Sequence, residues 1–422
     1  NEEIGLHYQI HRGIGIHHTK AHQKNEPLKV AIYIGGPPSH TFGAVMPLPE
    51  GIPEVSFVGA LGGRRWHYEK HDGYVISKDA DFVILGEIYP NETKPEGPFG
   101  DHLGYYSLIH EFPVMRVNKV LAKKGAIWPF TVVGRPPQED TGFGNLIHEI
   151  TGPAVPASIP GLHEVNAVDE AGVHPLLFAI GSERYTPYNT EQRPQEILTI
   201  ANSILGFGQM SLVKYLFISN KDDDRTISVN EPEKFLTHIL ERVDWNRDLH
   251  FQTNTTIDTL DYSGDGFNMG SKVVIAASGE KKRDLIDFVP PELESISASL
   301  VMPGVLAINI NSTSSIEGLS EKLNQESSYL NGIMLIVICD EPEIIAESMR
   351  NFLWITFTRS NPATNIHGVG SFVKNKHWGC KGPLIIDARI KSHHAPLLIP
   401  DPKVEKHVDR LGKSGGSLHG VI

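Results

Sequence analysis

The sequence predicts a mixed α and β protein of two or more domains, rich in strands over its first third and alternating helix with strand afterwards. Three observations lead to this expectation. The chain has 422 residues, which exceeds one compact domain of ordinary size. Short apolar runs bounded by Gly and Pro dominate the first 140 residues, and helical and strand-like patterns alternate beyond them. No internal repeat is apparent.

The first third contains three predicted strands. Leu28–Ile34 is an apolar, β-branched run that ends at a Gly-Gly-Pro-Pro turn. Residues 81–85 and 126–133 have the same character, and Pro129 in the last run indicates an edge strand or a bulge. Several strands with many Gly and Pro residues favour a barrel or a sandwich.

The remainder of the chain shows helices and strands in alternation. Apolar spacing predicts helices over residues 191–205 and 231–243, the second with Pro232 near its start, where proline is tolerated. Predicted buried strands lie at residues 214–219, 272–277 and 333–339. This alternation indicates an α/β domain. Residues 412–420 are rich in Gly and Ser and are expected to form a mobile tail.

Composition excludes several classes of protein. The net charge is −12, from 38 basic and 50 acidic residues, and no basic face suggests a nucleic-acid partner. No run of about 18 apolar residues occurs, so no transmembrane helix is expected. The two cysteines, Cys339 and Cys380, lie outside any zinc-binding spacing, which fits a reducing cytoplasm.

Residues 95–106 concentrate groups that can carry chemistry. Glu96 and Asp101 stand five positions apart, together with three glycines and two prolines. Gly and Pro fix an irregular backbone, and two carboxyl groups held on such a loop can differ in pKa, which suits proton transfer. A surface turn with solvated acids fits the same spacing, so these residues alone leave both interpretations open.

The loop Glu-Gly-Pro-Phe-Gly-Asp-His-Leu-Gly-Tyr-Tyr at residues 96–106 resembles the signature loop of the UbiD family of decarboxylases. Further stretches resemble the same family in the same order, namely residues 43–49 followed by Glu54, residues 134–137, and residues 259–262 with 270–272. The resemblance extends over roughly residues 4–280 and returns weakly near the C-terminus.

The resemblance implies a domain organisation. Residues 1–140 would form a split β-barrel that binds the flavin, similar to flavin reductases. Residues 141–360 would form an α/β C-terminal domain involved in oligomerisation, and residues 361–422 a C-terminal extension with the mobile tail. It also implies a homodimer or homohexamer in the cytoplasm.

The resemblance further implies a prenylated FMN cofactor, supplied by a flavin prenyltransferase. Its phosphate would be bound with a divalent metal, usually Mn2+, beside K+. His11 and Glu54 are the implied metal ligands, a donor set that suits manganese. Met46 and Pro47 would contact the isoalloxazine, and Lys272 the phosphate, where a lysine acts as a point charge.

Each of these residues also has a structural interpretation. His11 alone could be a structural histidine, and Met46 and Pro47 could simply belong to the core. Lys272 could be an exposed lysine at the start of a strand.

The implied reaction is reversible, non-oxidative decarboxylation of an aromatic or α,β-unsaturated acid by a carboxy-lyase. Loss of CO2 leaves a carbanion, which needs an electron sink that a cofactor supplies. We assign proton delivery to Glu96, with a pKa raised in a dry pocket, and expect Asp101 to hold the family's catalytic arginine.

The substrate and the catalytic status have alternatives. Residues 206–214 look most like decarboxylases of menaquinone biosynthesis by the futalosine route, which act on a dihydroxynaphthoate. A hydroxybenzoate or polyprenyl-hydroxybenzoate, as in ubiquinone biosynthesis, is the next candidate. A non-catalytic protein that binds or stores the flavin is the competing class.

One element of the family pattern is absent from the sequence. The family's arginine and a metal-ligating asparagine belong to an Asn-x-Gly-x-Tyr-Arg motif shortly before the position of His11, and residues 1–10 do not contain it. We expect this motif upstream of Asn1; the alternative is an inactive protein.

Overall fold

A computed structural model of the chain describes all residues except 1, 9–12, 47, 49–50, 153, 186–192, 294–295, 311–314, 326 and 422. Three larger sheets and two small hairpins organise the described residues.

The first sheet is antiparallel, in the order β1-β6-β5-β2. The elements of this region are β1 (Glu3–Gly5), α1 (Gly13–Gln23), β2 (Leu28–Ile34), α2 (Pro38–Val45), α3 (Glu54–Leu61), β3 (Tyr68–His71), β4 (Tyr74–Ser77), β5 (Phe82–Glu96) and β6 (His110–Ala122). Strand β2 and the start of β5 confirm the predicted strands at residues 28–34 and 81–85. The described residues form no closed barrel, so the split barrel stays a prediction.

The predicted strand at residues 126–133 is wrong. This segment is extended but pairs with no strand. Its apolar side chains face outward, with Ile127 72% and Phe130 79% exposed. Pro129 has no N–H for a ladder, and the segment is instead tied by the Val132 N–H, which donates to Glu139 at 2.8 Å.

The second sheet has three central parallel strands with an antiparallel strand at each edge, in the order β10-β11-β9-β8-β7. Its region contains α4 (Glu139–Thr151), α5 (Ala154–Ser158), β7 (Leu162–Ala167), β8 (Leu176–Gly181), α6 (Glu196–Leu205), β9 (Tyr215–Asn220), α7 (Pro232–Arg242), β10 (Leu249–Thr255) and β11 (Gly270–Ala277). Strands β8, β9 and β11 are buried throughout, which explains their continuous apolar sequences. The predicted strands at 214–219 and 272–277 and the helix at 231–243 are confirmed.

The third sheet follows in the order β12-β13-β14-β18-β15. The elements from here to the end are β12 (Ala298–Met302), β13 (Val305–Ile308), α8 (Ile316–Gln325), β14 (Leu335–Ile338), α9 (Pro342–Glu347), α10 (Met349–Thr358), α11 (Pro362–Asn365), β15 (Ile366–Gly368), β16 (Ser371–Lys374), β17 (His377–Cys380), β18 (Leu384–Asp387) and α12 (Pro402–Gly412). Strand β14 confirms the predicted strand at residues 333–339. This sheet takes strands from both sides of residue 360, and the predicted domain boundaries themselves stay predictions.

The second and third sheets have the same topology. In each, a hairpin is followed by a helix, a parallel strand, further helix, an antiparallel edge strand and a last parallel strand. The ladder registers align the row Leu176, Tyr215 and Val273 with the row Val305, Leu335 and Leu384. We call residues 162–277 the first repeat and residues 298–387 the second repeat. The expectation of no internal repeat is therefore wrong, because the strand order persists although the side chains differ.

The two repeats pack against each other through reciprocal contacts. Lys214, just before β9, donates from Nζ to the carbonyl of Ser360, just after α10, at 2.9 Å. The indole N–H of Trp245, just after α7, donates to the carbonyl of Met334, just before β14, at 2.9 Å. Lys214 and Met334 are equivalent in the two repeats, so this exchange is what an approximate two-fold arrangement produces.

The last part of the chain lies on the surface. Helix α12 has no buried residue, and residues 413–421 form successive hydrogen-bonded turns. Within the described part of the chain, no helix combines the length and apolarity needed to cross a bilayer.

We expect Phe357→Ala to destabilise the protein by about 3–5 kcal/mol, because the phenyl ring fills the shared core of the two repeats. Phe357 is 0% exposed and its ring centroid lies 4.9 Å from that of Tyr215 in the first repeat. Denaturant unfolding measures the loss, with Phe288→Ala as a control because Phe288 is 55% exposed. A loss below about 1 kcal/mol would contradict a packed interface.

Candidate functional site

The loop between β5 and β6 is folded around the side chain of Asp101, which is 2% exposed. Oδ1 of Asp101 accepts hydrogen bonds from the amides of Leu103 at 2.8 Å and Tyr105 at 3.3 Å. The Asp101 amide donates to the Tyr105 carbonyl at 2.9 Å, which closes the turn. The carboxyl group is therefore fixed by the backbone of its own loop.

Glycine at position 104 is required by this turn. Its φ is +90°, in the region that favours glycine, and a Cβ there would lie 2.9 Å from the Cα of Arg135. The loop consequently packs against residue 135 more closely than any other amino acid would allow.

The second carboxylate oxygen of Asp101 is unusual. Oδ2 is buried, and no described residue forms a hydrogen bond with it. Burial raises the pKa of Asp101 to about 7, although the two backbone amides act in the opposite direction, and the nearby Asp258 and Asp261 raise it further. The group can therefore hold a proton at neutral pH.

Glu96 lies at the end of β5 and has different surroundings. Its side chain is 19% exposed, and Oε2 lies 3.0 Å from Nδ1 of His7. The His7 ring lies 4.6 Å from Phe112 and 5.4 Å from Phe99, centroid to centroid. Glu96 is thus held by an imidazole that is itself packed between aromatic rings.

The ring group continues from Phe112 into the C-terminal half of the chain. The His110 and Phe267 rings lie 4.4 Å apart, and Nε2 of His110 lies 3.2 Å from the hydroxyl of Tyr262. Such a set of rings can contact a flat conjugated ligand.

The structure changes the roles expected of the two acids. From the sequence, the dry pocket and the raised pKa were expected at Glu96. The enclosed carboxyl group with the raised pKa is that of Asp101, because its loop is covered by the C-terminal half whereas Glu96 ends a strand beside His7.

Two predicted residues, His11 and Pro47, lie outside the described residues. Glu54 is exposed and is the first residue of α3. Met46 follows α2 and is 3% exposed, which suits core packing as well as a cofactor contact. The implied ligand pair of His11 and Glu54 therefore stays a prediction.

Lys272 is not an exposed lysine at a strand start. It is 3% exposed, and Nζ donates to the carbonyls of Thr256 at 2.8 Å, Val213 at 3.3 Å and Ser211. Burial lowers the pKa of Lys272 to about 8. All three of its hydrogens have acceptors, so a phosphate contact would require one carbonyl to be released.

A buried ion pair was not predicted from the sequence. Lys214 is 1% exposed, and its Nζ lies 2.7 Å from Oδ2 of Asp261 and donates to Oγ of Ser263 at 2.7 Å. Burial lowers the pKa of Lys214, and the Asp261 carboxylate opposes that change. A lysine inside the apolar run from Leu212 to Ile218 was the available signal, since such a charge must be paired.

A second polar cluster joins His102 of the loop to His174 and Asp258. Nδ1 of His174 is hydrogen-bonded to Oδ2 of Asp258, and the His102 and His174 rings meet edge to face at 5.7 Å. Burial alone would raise the pKa of Asp258, but His174 and His102 lower it overall, so the carboxylate is ionised.

These three side chains could hold a divalent metal. Each offers a ligand atom within 4.8 Å of the others, and the buried Nε2 of His102 has no hydrogen-bond partner in the described part of the chain. Two imidazoles and a carboxylate suit zinc or manganese. The hydrogen bond between His174 and Asp258 satisfies those two groups without a metal, however.

Comparison with known families matches two consecutive regions. Residues 1–136 match the family described as the 3-octaprenyl-4-hydroxybenzoate carboxy-lyase Rift-related domain. Residues 141–277 match the C-terminal domain of the same carboxy-lyase.

Curated relatives match most of the chain. An uncharacterised protein of Chlamydia trachomatis is 37% identical over 395 residues, covering 92% of this chain and 66% of the relative. A Chlamydia pneumoniae protein, named as one of the subunits of 4-hydroxybenzoate decarboxylase, is 35% identical over 412 residues, covering 96% and 67%. The chain thus spans about two thirds of the length of these relatives.

Solved structures share the fold. Vanillic acid decarboxylase from Sedimentibacter hydroxybenzoicus superposes with a TM-score of 0.57 at 22% identity, covering 70% of this chain and 61% of that one. The UbiD-class enzyme HmfF from Pelotomaculum thermopropionicum, solved with FMN, gives a TM-score of 0.52 at 19% identity, covering 70% and 64%. The expected mixed α and β fold is confirmed.

We expect the stability of the parent protein to fall more steeply with pH than that of Asp101→Asn. The folded state holds the Asp101 proton up to about pH 7, whereas an unfolded aspartate releases it near 3.8. Stability from this group is therefore present at low pH and is lost as pH rises from 4 to 7, by at most about 4 kcal/mol. Denaturant unfolding at pH 5 and pH 8 measures the difference, and parallel pH profiles would refute it.

We expect Lys214→Met to destabilise the protein by about 3–5 kcal/mol, because it leaves the buried Asp261 carboxylate unpaired. Adding Asp261→Asn removes that charge and should recover part of the loss. Methionine is the residue found at the equivalent position 334 of the second repeat. A double variant less stable than the single one would contradict the ion-pair interpretation.

Proposed function

Because the chain belongs to the UbiD family, we propose that it acts as a decarboxylase that releases CO2 from an aromatic or α,β-unsaturated carboxylic acid. The observation that carries this proposal is the buried carboxyl group of Asp101, with one oxygen fixed by two amides and the other without a partner among the described residues. A carboxyl group that holds a proton near neutral pH can deliver it to carbon after CO2 leaves.

The proposed cofactor is prenylated FMN, supplied by a flavin prenyltransferase. The side chains near the loop fit a flat conjugated group, since Glu96 and the unpartnered oxygen of Asp101 occur with the rings of Phe99, Phe112 and Phe267. When bound, this cofactor supplies the electron sink that amino acid side chains lack.

The residues proposed to hold the cofactor are those that the family resemblance implies. Met46 and Pro47 would contact its ring system and Lys272 its phosphate. His11 and Glu54 would bind Mn2+, with K+ beside it.

The chain's own residues have separable roles in the proposed reaction. Asp101 holds the proton, and its anchored Oδ1 leaves Oδ2 as the oxygen able to deliver it. The Glu96 carboxylate, at 3.0 Å from His7, would set the charge beside the substrate. The neighbouring rings would orient the planar acid and exclude water from it.

A hydroxybenzoate is the substrate class that we favour. The Chlamydia pneumoniae relative, which matches 96% of this chain, carries the name of a 4-hydroxybenzoate decarboxylase. A dihydroxynaphthoate of menaquinone biosynthesis is the second candidate, supported by the resemblance of residues 206–214. Cytoplasmic location and assembly as a homodimer or homohexamer complete the proposal.

We expect the full-length protein, co-expressed with a flavin prenyltransferase, to carry a flavin spectrum and to release CO2 from 4-hydroxybenzoate or 3,4-dihydroxybenzoate. Assaying 1,4-dihydroxynaphthoate-type acids beside these separates the two substrate candidates. A bound flavin without CO2 release from any of them would favour the storage protein instead.

We expect Asp101→Asn to lower kcat by about 10²-fold or more, because proton delivery contributes about that much. In the parent, kcat should fall as pH rises above about 7, where Asp101 loses its proton. Asp409→Asn, on the exposed face of α12, is the matched control. Near-parental turnover by the Asp101 variant would remove it as proton donor, and Glu96→Gln then tests Glu96 in that role.

A further inference from the structure

The loop that carries Asp101 is held from outside by helix α10 of the second repeat. The indole N–H of Trp354 donates to the carbonyl of Leu103 at 2.7 Å. The Trp354 ring stacks on Tyr105 at 5.3 Å between centroids, with 21° between the planes. One tryptophan therefore contacts both residues whose amides bind Oδ1 of Asp101.

A short chain of hydrogen bonds extends this contact along α10. The Tyr105 hydroxyl lies 2.7 Å from Oγ1 of Thr358, which itself donates to the Trp354 carbonyl at 2.6 Å. Nε of Arg359 donates to the same tyrosine hydroxyl at 3.4 Å. Tyr105 is 7% exposed, so both its ring and its hydroxyl are fixed by the second repeat.

Arginine covers the tryptophan. The guanidinium of Arg135 lies 4.1 Å from the Trp354 ring centroid and also bonds to Oδ1 of Asn351. A cation above an indole ring contributes an attraction that a neutral side chain would not.

The C-terminal segment contacts the loop as well. The Tyr106 amide donates to the carbonyl of Pro396 at 2.7 Å, and the Leu398 amide donates to that of Gly104 at 3.3 Å. Residues 354, 358 and 396–398 all lie beyond residue 277, where the match to the two carboxy-lyase domains ends.

We propose that the second repeat is part of the active site, and that Trp354 is a positioning residue that holds the Asp101 loop in its working conformation. This inference rests on the proposed function. A loop with three glycines has many alternative conformations, and external contacts at Leu103 and Tyr105 select one of them. Displacing a reacting group by about 1 Å can lower a rate by about 10²-fold.

The decisive variant is Trp354→Phe, which keeps an aromatic ring but removes the N–H that binds the Leu103 carbonyl. We expect kcat to fall by about 10-fold to 100-fold with a smaller change in KM. Hydrogen exchange of the Leu103 and Tyr105 amides should accelerate, because both donate to Asp101 within this loop.

Trp378→Phe is the matched control. Trp378 also belongs to the second repeat and is half-buried, with its ring 5.6 Å from Phe251, and it has no contact with the loop among those described. It should leave kcat and both exchange rates at parental values. Tyr105→Phe, which removes only the hydroxyl, gives a milder second test if Trp354→Phe does not fold.

The outcomes separate this inference from the proposed function. Unchanged exchange at Leu103 and Tyr105 in the Trp354 variant overturns the inference, and so does faster exchange with parental kcat. If the parent itself releases no CO2, the proposed function fails, and the role of Trp354 in holding the loop is decided by the exchange rates alone.

Discussion

Burying a carboxyl group costs free energy unless hydrogen bonds replace its water, and Asp101 receives only half of that replacement. Two amides bind Oδ1, while Oδ2 has no partner in the described part of the chain. The surrounding structure must therefore keep the loop closed. Helix α10, Arg135 and the segment around Pro396 do so, which links the chemistry of one carboxyl group to the packing of the C-terminal half.

Much of the secondary structure could be predicted from local pattern. The apolar strand at residues 28–34 and the amphipathic helix at 231–243 were found because their periodicity reflects burial. Residues 126–133 have the same composition as a strand but lack a partner, and pairing is not a local property. The repeat was invisible because topology constrains strand order and polarity, not the identity of side chains.

The candidate site was predicted in part. The family resemblance identified Glu96 and Asp101, but their different burial depends on elements more than 200 residues away, such as Trp354. Lys214, His174 and Asp258 come from separate loops with no shared motif, so their proximity could not be read from spacing. A lysine inside an apolar run was the one local sign of the ion pair.

The joining of the two repeats in one polypeptide has an evolutionary consequence. In a symmetric pair of identical subunits, every substitution appears on both sides of the interface at once. Covalent fusion removes that coupling, so one side can lose polar residues while the other keeps them. Lys214 and Lys272 face the equivalent positions of Met334 and Pro383, which fits a division of labour in which one side specialised in polar interactions and the other in support.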